Sequence, residues 1–144
     1  MKSLNNLPNG AQTPIEASKK PLLTLLNEAE CHKNIVDVKN NLTLSRSILK
    51  VHCQSRDDDL GEHFLRFQDV AYTFSFHDSF VVLTRFKCIL WKGANLEYHK
   101  TFVAYEADAF PECGVLYSWE ARDDGIYLSK NGGLMKLMYL WDID

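Results

Sequence analysis

In the stretch Ala71-Tyr72-Thr73-Phe74-Ser75-Phe76 an aromatic ring recurs at every second residue. Side chains two residues apart share a face of a strand but not of a helix, so these three rings line up only if the segment is extended. A row of rings is too apolar to leave in water, and packing against a second layer is its simplest use; lining a ligand cavity is the alternative. The same period runs through Thr84 to Trp91, where Phe86, Cys88 and Leu90 alternate with Arg85 and Lys87. That places the Cys88 thiol on the apolar side.

Similar short runs fill the chain from His32 onward. Asn34 to Lys39 is β-branched and ends in Asn40-Asn41; Leu49, Val51 and Cys53 share one face of the next run; Tyr98 to Tyr105 forms another. Val115, Tyr117 and Trp119 alternate inward, Asp123-Asp124-Gly125 reads as a tight turn, and Ile126 to Trp141 reads as a hairpin around Asn131-Gly132-Gly133. Strands follow strands with no helical pattern between them. The expected fold is all-β: an antiparallel two-sheet β-sandwich of about eight strands over residues 31–144. Residues 1–30 carry Pro8, Gly10, Pro14 and Pro21, lack strand periodicity, and read as a flexible, disordered N-terminal tail.

The formal net charge of −3 gives no electrostatic reason to expect a nucleic acid or an anionic membrane as partner. No stretch approaches the length of a membrane span. Met1 to Lys20 shows no apolar core of a cleavable leader, and Pro21 to Leu26 is apolar but short. The four cysteines, Cys31, Cys53, Cys88 and Cys113, are spread out, without the paired spacing of zinc or redox sites. In a small oxidised domain an even count suggests disulfides, and the residues alone leave all three pairings open.

Searches for chemistry return little. No nucleophile elbow, glycine-rich phosphate loop, dinucleotide fingerprint or His-Glu-x-x-His pair is present. The acidic run Asp57-Asp58-Asp59 with Glu62 offers oxygen ligands for calcium, yet it lacks the alternation and glycine of an EF-hand loop. Its simpler reading is a turn whose carboxylates accept from nearby amides. Clustered in one loop, these carboxylates also lack the separated placement of a glycosidase pair. Neither a catalytic residue, a metal ligand nor a cofactor is therefore assigned. Asn41-Leu42-Thr43 is an N-glycosylation acceptor if the chain enters the secretory pathway.

Taken in order, certain strings resemble the plant self-incompatibility protein S1 family, the S-protein homologues. They are Val36-Asp37-Val38-Lys39-Asn40 with Leu42, the run from Leu49 through His52-Cys53-Gln54-Ser55-Arg56-Asp57-Asp58-Asp59-Leu60-Gly61-Glu62-His63, and Tyr72 to Phe76. Thr84 to Trp91, Phe102 to Tyr105, and Cys113 with Trp119 and Asp124-Gly125-Ile126-Tyr127 complete the likeness. The resemblance implies a secreted, disulfide-stabilised sandwich that acts as an extracellular signalling ligand, in rejection of self pollen or related cell-cell signalling, and is not an enzyme. It matches Cys53, Cys88 and Cys113; Tyr117 stands where the family usually has a further cysteine, which makes Cys31 a candidate replacement partner.

The partner expected from this resemblance is a plant cell-surface receptor protein met by a monomer, with no nucleic acid and no membrane insertion. Recognition on a rigid sandwich falls to its exposed loops. Arg56, Asp57, Asp58, Asp59 and Glu62, then Lys92 and Asn95, then Glu112, and finally Asp123 and Asp124 are the candidate receptor contacts. A small-ligand or calcium-binding sandwich is the alternative, followed by a glycan-acting enzyme.

Overall fold

The computed structural model describes residues 31–79 and 81–144. The tail expected over residues 1–30 lies outside the described residues. Every regular element among those described is a strand: β1 (Asn34–Asn40), β2 (Leu49–Gln54), β3 (Asp59–Leu65), β4 (Tyr72–Phe76), β5 (Arg85–Lys92), β6 (Tyr98–Glu106), β7 (Leu116–Arg122), β8 (Gly125–Lys130), β9 (Lys136–Tyr139) and β10 (Asp142–Ile143). They form two five-stranded sheets, ordered β4-β1-β7-β8-β9 and β10-β6-β5-β2-β3. The all-β, two-sheet expectation holds.

Three details differ from it. There are ten strands among the described residues where about eight are expected. One extra is β3, which runs through the acidic segment read as a turn; the other is β10, which lies just beyond the terminal strand expected to end at Trp141. The sandwich is also not wholly antiparallel, because β1 and β7 pair in parallel, with Val36 opposite Tyr117 and Val38 opposite Trp119. Such a pairing needs a long crossover, and here five intervening strands supply it.

Alternation decides which side chains meet between the sheets. Val36 and Val38 of β1, Trp119 and Ala121 of β7, and Ile126 and Leu128 of β8 are buried from one side. Leu49, Val51 and Cys53 of β2, Phe86, Cys88 and Leu90 of β5, and Phe102 and Ala104 of β6 are buried from the other. The ring row of β4 is half-buried and packs on this core: Phe74 and Phe76 lie 4.9 and 4.6 Å from the Phe86 ring, and Phe76 lies 4.8 Å from Tyr105.

Cys53 and Cys88 stand directly opposite each other on β2 and β5 and form a disulfide inside one sheet. Both are fully buried, as their places among Leu49, Val51, Phe86 and Leu90 require. No described cysteine is free, and Cys31 and Cys113 are disulfide-bonded as well.

Strand directions sort the connections to two ends. The β2–β3, β4–β5 and β6–β7 loops emerge together at one end; the β1–β2, β5–β6 and β7–β8 connections emerge at the other.

Candidate functional site

At the first end a polar network holds the loops in place. Asp78, just after β4, accepts from the Tyr105 hydroxyl at 2.9 Å, from the Asn34 side-chain amide at 3.0 Å and from the Glu112 backbone amide at 2.9 Å. Asn34 is fully buried; it also donates to the Glu112 carbonyl at 3.1 Å and accepts from the Val115 amide at 3.1 Å. Burial, with the Asp78 carboxylate added, pushes the Tyr105 phenol far above its ordinary value of 10.0, so it remains a hydrogen-bond donor. One buried asparagine and one carboxylate thus fix the β4–β5 and β6–β7 loops to β1 and β6.

Above this network the β2–β3 turn closes on itself, Ser55 donating its amide to the Asp58 carbonyl at 2.8 Å and accepting from the Asp58 amide through its hydroxyl at 3.1 Å. Arg56, Asp57 and Asp58 are left exposed. With Val82, Leu83 and Lys87 they line a cavity of about 700 Å³ between the β2–β3 and β4–β5 loops. Val81, Val82 and Leu83 are exposed, as is Phe110 on the β6–β7 loop. Glu112 sits exposed on that loop, anchored through its backbone. Four of the candidate contacts, Arg56, Asp57, Asp58 and Glu112, therefore share this end.

The other candidates lie elsewhere. Asp59 and Glu62 belong to strand β3 and not to a loop. The Asp59 carboxylate accepts from the Gly61 amide at 2.9 Å and meets His52 Nε2 at 2.6 Å; the Gly61 bond first and the His52 contact second hold its pKa below 3.8. Glu62 pairs with Lys50 at 3.2 Å.

Lys92 overturns the expectation of an exposed contact. It continues the inward face of β5 after Phe86, Cys88 and Leu90, and is buried. Its ammonium donates to the Asp123 carbonyl at 3.1 Å and lies 4.7 and 5.2 Å from the Tyr98 and Trp141 ring centres. Asp123, half-buried, accepts from the Leu44 and Ser45 amides at 2.8 and 3.2 Å. Burial alone would raise its pKa, but those amides and Lys92 outweigh it and leave the carboxyl below 3.8. Asp124 is exposed and accepts from the Tyr127 hydroxyl at 2.8 Å. Asn95 is exposed on the β5–β6 turn, its backbone amide donating to Glu97. These last residues mark the opposite end of the sandwich.

Sequence reasoning misses the two imidazole–carboxylate pairs. His52 meets Asp59 at 2.6 Å, and His99 meets Asp144 at 2.6 Å. Each joins an outermost strand of one sheet to its neighbour, and only the register reveals them. Neither imidazole has a hydroxyl or thiol as hydrogen-bond partner among the described residues. No group of three His, Cys, Asp or Glu side chains among those residues converges to hold a metal, and no described helix is long and apolar enough to cross a membrane. Asn41 follows directly on β1; its side-chain amide donates to Glu120 at 2.6 Å.

Fold and site together define a small, disulfide-braced β-sandwich protein that displays a loop cluster tied down by a buried polar network. The family model for plant self-incompatibility protein S1 matches residues 35–141, and the chain belongs to that family. Similar proteins include S-protein homolog 11 of Arabidopsis thaliana, 43% identical over 112 residues that cover 76% of this chain and 77% of that protein. S-protein homolog 30 of the same plant is 40% identical over 122 residues, covering 81% and 92%. A solved SPH (Self-Incompatibility Protein Homologue) structure, from what is described as a widespread family of small, highly stable, secreted proteins from plants, superposes with a TM-score of 0.64 at 28% identity, covering 78% of this chain and 97% of that one.

Proposed function

We propose that this protein is a secreted signalling ligand, a monomer that binds a plant cell-surface receptor through the loop end containing Arg56, Asp57, Asp58 and Glu112. Family membership supports the ligand class. The observation that carries the choice of surface is Asp78, whose carboxylate takes three hydrogen bonds and anchors two loops to the sandwich. Loops fixed in advance lose little conformational freedom on binding, which favours a specific protein partner. Exposed Val82 and Leu83 line one cavity with charged Arg56, Asp57 and Asp58, an apolar centre with a polar rim, and exposed Phe110 lies on a loop at the same end.

The test is binding of the labelled protein to plant cell-surface membranes. Joint alanine replacement of Arg56, Asp57, Asp58, Val82, Leu83 and Phe110 is expected to abolish saturable binding, while replacement of Asn95 and Asp124 at the other end leaves it intact. Undiminished binding by the first variant, with its melting temperature unchanged, removes this reading. On the secretory route any glycan at Asn41 would stand at the β1–β2 connection, away from the proposed contact end.

A further inference from the structure

Among the described residues the two sheets end in four outer strands, β4 and β9 in one and β10 and β3 in the other. An outer strand carries main-chain amides and carbonyls along an edge with no neighbour to bond, and proteins ordinarily block such an edge with charge, proline, a bulge or brevity. Three of the four are blocked. β3 carries Asp59 and Glu62, a positive φ of 81° at Gly61 and a shift of register against β2. β9 carries Lys136 and a shift of register against β8, and β10 is two residues long with Asp142 as one of them. β4, Tyr72-Thr73-Phe74-Ser75-Phe76, has neither charge nor proline, and its five residues pair with β1 in unbroken register.

Register shows which main-chain groups of β4 are left over. The Ile35 amide donates to the Val115 carbonyl at 2.8 Å and so points from β1 towards β7. Successive residues of a strand turn their amides and carbonyls to opposite sides, so Asn34, Val36 and Val38 turn theirs to β4, where they meet Phe76, Phe74 and Tyr72. Thr73 and Ser75 then direct theirs away from the sheet. Both residues are exposed, and these main-chain groups have no hydrogen-bond partner among the described residues. Two donors and two acceptors in alternation are the pattern that an extended peptide, and not a sugar or a lipid, repeats along its own edge.

The occupant's side chains are constrained as well. One face of an added strand lies beside Tyr72, Phe74 and Phe76, which are only half-buried, and the other beside Thr73 and Ser75. A strand of alternating apolar and polar residues fits both. β4 leads directly into the β4–β5 loop, whose Val82 and Leu83 line the loop-end cavity, so one partner covers edge and cavity without a break. A second copy of this chain paired antiparallel on β4 would bring only its β3–β4 connection, residues 66–71, to that end.

We propose that the cell-surface receptor adds an extended strand to β4, bonding to the main chain of Thr73 and Ser75 and packing apolar side chains beside the ring row. This rests on the receptor reading above and supplies the partner's chemistry: a strand-forming segment of alternating polarity with a free edge of its own.

Binding to plant cell-surface membranes tests it. Ser75→Pro removes one outward amide and leaves every bond to β1, a placement that edge strands tolerate; binding is expected to weaken at least about tenfold. Ser75→Ala and Thr73→Val, which alter side chains alone, are expected to bind as the wild type does. Hydrogen exchange of the wild-type protein needs no variant: the Thr73 and Ser75 amides should exchange freely in the isolated protein and become protected on the membranes. Undiminished binding by a Ser75→Pro protein of unchanged melting temperature overturns the proposal. If that variant melts lower, the exchange measurement decides, and unaltered exchange at Thr73 and Ser75 in the bound protein overturns it equally. Loss of binding by the loop-end alanine variant in the same assay would leave the receptor reading standing after such a failure, whereas absence of saturable binding by the wild type removes both. A sedimenting dimer that Ser75→Pro converts to monomer also overturns the proposal, since a second copy would then occupy the edge.

Discussion

The indole Nε1 of Trp119, on β7, donates to the carbonyl of Ala104, on β6, at 3.0 Å, joining the two sheets by a hydrogen bond through the core. The same ring packs against Phe102, with centroids 4.5 Å apart, so Trp119 supplies both burial and polar satisfaction at one point.

Replacing Trp119 by Phe keeps much of the ring packing but leaves the Ala104 carbonyl buried without its donor. An unsatisfied buried acceptor costs about 1–3 kcal/mol. Trp119→Ala adds a cavity and should cost about 3–5 kcal/mol in all. Urea denaturation is the measurement: the midpoint should fall in that order. A Phe variant as stable as wild type would show that the hydrogen bond contributes nothing.

Lys92 gives a prediction that separates structure from recognition. Lys92→Met retains the length of the side chain but removes the donor to the Asp123 carbonyl and the cation between Tyr98 and Trp141. The expected loss of stability is about 1–3 kcal/mol. Binding to cell-surface membranes should be unchanged at temperatures where the variant is folded. Weakened binding by a fully folded Lys92→Met protein would return this residue to the contact surface.

These residues also show where the sequence was legible. The alternation Phe86, Cys88, Leu90 extends without a break to Lys92, so the signal for an inward lysine was present; its charge suggested a loop, and two rings and a carbonyl outweighed that. The ring row of β4 and the inward placement of Cys53 and of Cys88 followed directly from period two, but their pairing with each other did not. Strand β3 was hidden because Asp59-Leu60-Gly61-Glu62 has poor strand propensity and shows no clean alternation; its pairing with β2 holds it extended. The β1–β7 pairing and the Asn34–Asp78–Tyr105 network join segments far apart in the chain, and no local pattern encodes them.

Acid should act on the protein through Asp123. Its folded pKa lies below the ordinary 3.8 because the Leu44 and Ser45 amides and Lys92 favour the carboxylate over the opposing effect of burial. A depressed carboxyl contributes stability that is present above its unfolded pKa and is lost as pH falls through the folded value. Asp37 works in the opposite sense: burial raises its pKa despite Ser118 and Lys39, so its charged form opposes folding above the raised value and acid relieves that effect. Denaturation midpoints measured from pH 6 down to about pH 2 should fall less steeply at the acid end in Asp123→Asn than in wild type, and more steeply in Asp37→Asn. Parallel curves for all three proteins would refute both assignments.

The Cys53–Cys88 bridge closes a separation of 35 residues within one sheet. Restricting the unfolded chain over a loop of that size is worth up to ~4 kcal/mol. The Cys53→Ala, Cys88→Ala double variant should lose about 2–4 kcal/mol, read as a lower urea midpoint. In the native wild-type protein both sulfurs are shielded from water, so mild reductant should leave this bond intact until the sheet opens. Its rapid reduction without unfolding, followed by mass spectrometry after alkylation, would contradict the buried placement.

Glycosylation at Asn41 is expected to compete with folding. The oligosaccharide must be attached to the side-chain nitrogen, which in the folded protein donates to Glu120 at 2.6 Å. Its neighbour Leu42 is fully buried, which pins the acceptor triplet against the sandwich. A transferase that needs the triplet extended and free can therefore act only before β1 and β7 have paired. In a plant secretory expression host the wild-type protein should emerge as a mixture of occupied and empty forms, and the Cys53→Ala, Cys88→Ala variant, whose folded state is less favoured, should show higher occupancy. Intact-mass measurement reads the ratio directly, and equal occupancy in both proteins would mean that folding does not limit access to Asn41.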